Sequence, residues 1–92
     1  MNPGRYGFTN HAWLQLEALP DDMAQQVKDI AQVLPAWVEQ KQVAPHGYDE
    51  FEKPFYKASY EGGGFSLELE FHLRFSRMSP KRAIIRDIVV HE

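Results

Sequence analysis

No cysteine occurs among the 92 residues, so disulfides and thiolate metal sites are excluded and a reducing, cytoplasmic setting is expected. No apolar run approaches the ~18–20 residues that cross a bilayer, and no membrane partner is expected. Met1-Asn2-Pro3-Gly4-Arg5 leads into no apolar segment of the kind a secretory signal needs. A basic surplus is also missing: 10 Lys and Arg stand against 13 Asp and Glu, for a net charge of −3. Taken whole, the chain lacks the positive balance usual in nucleic-acid binders. His11, His46, His72 and His91 fall in separate segments without a His-x-x-x-His spacing, so no metal is expected. Gly62-Gly63-Gly64 lacks the flanking lysine and following helix of a phosphate loop, and no serine sits in a nucleophile elbow. No cofactor is expected. What remains is ordinary globular composition, 43% apolar and 25% charged, enough for one small domain over residues 1–92.

The strongest pattern is Phe65 to Ser76. Every odd position is a large apolar residue and every even one is polar or charged. Strand side chains alternate between faces, so this run predicts a long half-buried β-strand with one apolar face. Its other face carries Glu68, Glu70, His72 and Arg74.

Arg5 to Thr9 predicts a short strand, and Thr9 or Asn10 offers a cap to a helix over His11 to Leu19. Pro20-Asp21-Asp22 suits the start of a second helix, whose stripe is Met23, Val27, Ile30 and Leu34. Pro35 is expected to end or kink it, with Trp37 and Val38 hinting at a further turn. Val43 to Lys53 has no period and predicts a loop. Pro54 to Tyr60 alternates again, and the three glycines turn it into the long strand. Met78 to Lys81 is a second turn signal, and Ala83 to His91 a last strand with apolar residues on both faces. The expected fold is α+β: a short N-terminal strand, a helical hairpin, then a three-stranded antiparallel meander packed on the helices.

A hairpin with Arg77 opposite Arg82 sets Phe75 against Ile84, Phe71 against Ile88 and Leu69 against Val90. On the polar face His72 then meets Asp87, with Arg74 beside it, and Glu68 meets His91. Arg86 falls awkwardly on the core face. A histidine oriented by a carboxylate next to an arginine can serve as a general base or proton relay acting on a phosphate ester. The alternative is an exposed face whose opposite charges simply pair across strands. Tyr48, Phe51, Phe55, Tyr56 and Tyr60 form either a stacking platform for bases or the cover of an open core end. Trp13 and Trp37 are expected to pack.

Tyr6-Gly7-Phe8-Thr9-Asn10-His11-Ala12, running into Leu16 and Leu19-Pro20, resembles the opening of the RelE/ParE superfamily of small toxins. A first strand ends in a Phe-Thr pair and is followed by a helix with an early Ala and a Leu-x-x-Leu pattern. The second helix, the meander and the ending Ile88-Val89-Val90-His91 are similar to the same layout. The resemblance implies a component of a toxin–antitoxin module: a metal-independent endoribonuclease acting on mRNA at the ribosome, or a gyrase poison. It also implies an antitoxin partner. Family ribonucleases place Lys, Arg, His and Tyr on the concave sheet face. The candidates here are His72, Arg74, Asp87, Arg82 and His91 as catalytic residues, with Lys57, Arg77 and Tyr60 holding substrate.

Glu68 and Glu70, however, are expected to repel RNA phosphates. A competing reading is therefore an acidic, non-enzymatic binding or inhibitor protein of phage or accessory type, using the open sheet face. A further expectation is a homodimer through a sheet edge.

Overall fold

The computed structural model describes residues 6–77 and 79–91, the side chains of residues 76 and 79–81 excepted. Arg5 and Met78, assigned above to the first strand and the second turn, lie outside the described residues. The elements run β1 (Tyr6–Phe8), α1 (Asn10–Glu17), α2 (Asp21–Lys41), β2 (Gly47–Tyr48), β3 (Pro54–Gly62), β4 (Phe65–Ser76) and β5 (Ser79–His91). This is the predicted α+β order of strand, helical hairpin and antiparallel meander. Five strands form one sheet in the order β1-β5-β4-β3-β2. β1 runs parallel to β5, and the other neighbours are antiparallel. β2 is an addition, because Gly47 and Tyr48 pair with Phe55 and Pro54 inside the stretch expected to be loop.

Local chemistry accounts for the helices. Thr9 caps α1, its hydroxyl accepting from the Ala12 N–H at 3.2 Å. Asp21 and Asp22 sit in the first turn of α2, where the helix dipole favours negative charge, and Lys41 sits in the last. Pro35 does not end the helix: α2 runs on past it to Lys41. Proline removes one backbone donor from a helix interior. Here Pro35 lies buried between Leu34 and Val38, so apolar packing of its ring offsets the missing bond.

Ala12 and Leu16 of α1, with Val27, Ala31, Leu34 and Val38 of α2, meet Leu67, Leu69, Phe71, Ala83, Ile85 and Ile88 of the sheet. The odd positions of β4 face this core as predicted from Phe65 to Leu73. The pattern fails at its end, where Phe75 is 55% exposed. Gly63 and Gly64, at φ +64° and +84°, close the β3–β4 hairpin in a conformation that L side chains avoid. The second hairpin is tighter than expected: Ser76 pairs with Ser79, so β5 begins at Ser79 rather than Ala83.

The β4–β5 register also differs from the expected one. Leu69 faces Ile88 rather than Val90, and Glu70 rather than His72 faces Asp87. Beyond Glu70 the register shifts, so that Phe71 faces Ile85 and His72 faces Ile84. The extra residue is Arg86. A bulge of this kind lets Ile85 and Ile88, three positions apart, both enter the core at 0% and 5% exposure. It also takes Arg86 off the core face and so relieves the awkward placement expected from the unbroken register.

Candidate functional site

The sheet face turned away from the helices holds Glu68, Glu70, His72 and Arg74 from β4, Lys57 from β3, and Arg82 and Arg86 from β5. The expected His72–Asp87 pair does not form. Asp87 instead turns to α1, where its Oδ1 accepts from Gln15 Nε2 at 2.9 Å and lies 3.4 Å from His11 Nε2. Gln15 Oε1 in turn accepts from the Ile88 N–H at 2.7 Å. β1 pairs with β5 only as far as Ile85, so the Gln15 amide continues the edge pairing that β1 leaves unfinished. Asp87 thus belongs to the framework that ties α1 to β5.

His72 finds a different carboxylate. Its Nδ1 lies 2.8 Å from the Pro54 carbonyl oxygen, which can only accept, so Nδ1 carries the proton. Its Nε2 lies 3.7 Å from Asp49 Oδ2. Asp49 heads the turn before β3: its Oδ1 accepts from the Phe51 and Lys53 N–H groups at 2.9 and 2.8 Å. The Lys53 N–H, then that of Phe51, with His72 and Arg86 nearby, hold the Asp49 carboxyl below its ordinary value, against an opposing effect of partial desolvation. The Pro54 carbonyl and the Asp49 carboxylate thus hold the ring from its two nitrogens.

Arg86 stacks on Phe55, its Cζ 4.6 Å from the ring centroid, and its Nε is 3.9 Å from Glu70 Oε1. Glu68 is held by Lys57 Nζ at 3.2 Å and by His91 Nε2 at 3.6 Å. The expected Glu68–His91 contact therefore exists, although the backbone partner of Glu68 is Val89. Both carboxylates thought to repel RNA have cations of this same chain beside them.

The remaining candidates divide by position. Arg74 and Arg82 face each other across β4 and β5, and Arg77 is exposed in the turn beyond them. From this end to Ser66, the partner of His91, is eight residue steps along β4, or roughly 27 Å of strand. Lys57, Glu68 and His91 thus form a separate group from His72, Arg74 and Arg82. Tyr60 packs against the core and takes no place on the charged face. Tyr56 is buried too, stacked on Phe71, while Tyr48 and Phe51 are exposed. The five aromatics therefore split between core cover and surface. Trp37 packs on the core, and Trp13 meets Phe8 edge-on while keeping 47% of its surface exposed.

A cleft of about 470 Å³ opens at the Arg74 end, where β4 runs on beyond its pairing with β3. Phe51, Tyr56 and Phe75 supply apolar wall, with Lys53, His72 and Arg74 around it. Phe51 is 75% exposed. Asp49, Lys53 and Phe75 are the site residues that sequence reasoning missed. The Asp-x-Phe-x-Lys order before Pro54 was the available signal, since an aspartate readily accepts from backbone N–H groups just after it. Among the described residues no three His, Asp or Glu side chains converge as a metal set, and no helix is long and apolar enough to cross a membrane. No protein-family model, curated protein or solved structure was found to match the chain.

Proposed function

We propose that this is a toxin-like α+β domain whose cleft binds a short single-stranded segment of RNA. The observation that carries this reading is the company of Arg74. Its guanidinium shares one sheet end with Arg82, the exposed rings of Phe51 and Phe75, and Lys53. Exposed rings accept bases by stacking, worth about 1–3 kcal/mol per base, while guanidinium groups hold phosphates. The net charge of −3 does not oppose this. Glu68 and Glu70 lie beside Lys57, His91 and Arg86, farther back on the face than Arg74. By the resemblance to the toxin superfamily, the segment would belong to mRNA at the ribosome, and an antitoxin would cover this end.

Cleavage is a second reading, favoured by the place of His72 beside Arg74 in the cleft wall, its ring held by Pro54 and Asp49. An imidazole there can move a proton at a phosphodiester oxygen, while Arg74 stabilises the charge that develops. The acidic-inhibitor reading has less support, because two of the carboxylates on the open sheet face, Glu68 and Glu70, have cations close by.

The test is fluorescence anisotropy with a labelled single-stranded RNA oligonucleotide. Arg74→Glu should weaken binding by about tenfold or more. Contacts from about three arginines should give a slope of log K against log salt near about −2. No binding at low salt, or equal binding by the variant, overturns the proposal. Gel analysis of the same RNA, with His72→Ala as control, reads cleavage separately.

A further inference from the structure

We propose that two copies of this chain join through the outer edge of β3, in antiparallel register about Ser59, to form one continuous sheet.

Among the described residues, β3 has a neighbour on its outer side only at its start. Pairing with β2 involves Pro54 and Phe55 and stops there, while β3 continues to Gly62. The groups facing outward from the rest can be assigned. The two-residue turn at Gly63 and Gly64 makes Gly62 and Phe65 a hydrogen-bonded pair, so alternate residues Tyr60, Ala58 and Tyr56 also bond to β4. The Phe55 carbonyl confirms this phase, because it points away from β4 and accepts from the His46 N–H at 2.8 Å. The N–H and C=O groups of Lys57, Ser59 and Glu61 therefore point outward, a ready template for another strand.

The side chains along that template are complementary to themselves. With Ser59 on a twofold axis, Lys57 falls opposite Glu61 of the second copy and Glu61 opposite its Lys57. Lys57 already touches Glu68 at 3.2 Å, and its three ammonium protons allow a second carboxylate. On the helix face, Ala58 falls opposite Tyr60. Small against large is the fit that an isologous contact needs. The neighbouring surface is apolar as well: a groove of about 420 Å³ lies between α2 and this edge, lined by Ile30, Val33, Trp37 and Tyr60. Val33 is 58% exposed there, and the second copy would bring its own α2 alongside to cover it. β2 limits the new pairing to the stretch 57–61, so the contact should be reversible and concentration-dependent. The Arg74 cleft is lined by no residue of the stretch 57–61, so the proposal does not depend on RNA binding.

Sedimentation velocity over a concentration series tests this. The parent protein should show a reversible monomer–dimer equilibrium. Lys57→Glu and Glu61→Lys, each alone, place like charges opposite each other twice per dimer and should weaken association about ten- to thirty-fold. Mixed in equal amounts, the two variants should regain the parent's association, since every facing pair is then opposite in sign. Thermal unfolding of each variant separates lost pairing from lost folding, and Ser59→Pro, which removes one outward donor, should also give monomer. A parent that stays monomeric at millimolar concentration overturns the proposal, as do variants that associate like the parent or a mixture that associates no better than its components.

Discussion

Replacing Gln15 with Ala tests the least conspicuous bond in the fold. Its amide receives the Ile88 N–H at 2.7 Å and donates to Asp87 at 2.9 Å, joining α1 to β5 across 73 positions of sequence. Ile88 is 5% exposed, so its freed N–H has little access to water, and an unpaired buried donor costs about 1–3 kcal/mol. The Asp87 side chain is 33% accessible, so water replaces much of the lost donor there, and that bond adds at most about 1 kcal/mol. The expected loss is about 2–3 kcal/mol. For a domain of this size that lowers Tm by roughly 10–20 °C. Urea unfolding followed by circular dichroism measures it directly. Gln15→Glu is the informative companion, because it keeps an acceptor for Ile88 but sets a carboxylate against Asp87, and raising the pH through the carboxylate range should worsen it. A loss below about 0.5 kcal/mol for Gln15→Ala, within the scatter of ordinary surface substitutions, would refute the bridge.

Asp49 has a lowered carboxyl pKa, so its contribution to stability is present above its unfolded value of 3.8 and is lost as pH falls through the lower folded value. Carboxyl-carbon NMR should show Asp49 titrating below 3.8, and the parent should lose stability relative to Asp49→Asn over that acid range; a midpoint at or above 3.8 contradicts the hydrogen-bonded turn. Gly64 has φ +84°, and a Cβ added there would meet nothing within 4 Å, so Gly64→Ala isolates backbone strain. It should cost about 1 kcal/mol in the same urea assay, with Gly64→Asn costing less. Arg86 Nη1 is buried without a partner, so Arg86→Met, which keeps a contact on Phe55, should leave stability within about 1 kcal/mol of the parent or raise it. A loss above about 2 kcal/mol would show that the guanidinium is needed at the bulge.

The period of the Phe65–Ser76 run was enough to identify β4 and its core face, since alternation is a property of the strand itself. The helix stripe of Val27 and Leu34 was legible for the same reason. β5 also carried its bulge in plain sight: the core residues Ala83, Ile85, Ile88 and Val90 are spaced two, three and two apart, and the odd step falls at Arg86-Asp87. The wrong hairpin register, and with it the His72–Asp87 pair, came from setting Arg77 opposite Arg82, whereas Ser76 pairs with Ser79 and Leu69 with Ile88. Asp49 and Gln15 were not legible in this way. Their partners His72 and Ile88 are remote in sequence, and one side chain of each type leaves no periodic trace. The continuation of α2 past Pro35 was not legible, because the local cost of proline is visible in sequence, whereas the core that offsets it is not.

The β4–β5 register also decides what kind of surface the open face becomes. With the expected register throughout, His72 would sit beside Asp87, and the charged groups would form one cluster near the middle of the sheet. The observed register, set by the turn that closes at Ser76 and Ser79 together with the extra residue at Arg86, disperses that cluster. Asp87 goes to α1 and becomes structural, Arg86 turns onto Phe55 and Glu70, and Arg82 comes directly opposite Arg74. Cations are thereby gathered at the end where the β3 pairing stops and the cleft opens, while Glu68 and Glu70 stay beside partners farther back. A protein with more acidic than basic residues can in this way present a cationic end, because like charges directly opposite each other raise the local potential even when the total is negative. Lys57 and Glu61 of the β3 edge lie two positions either side of Ser59, the spacing on which the proposed pairing with a second copy rests.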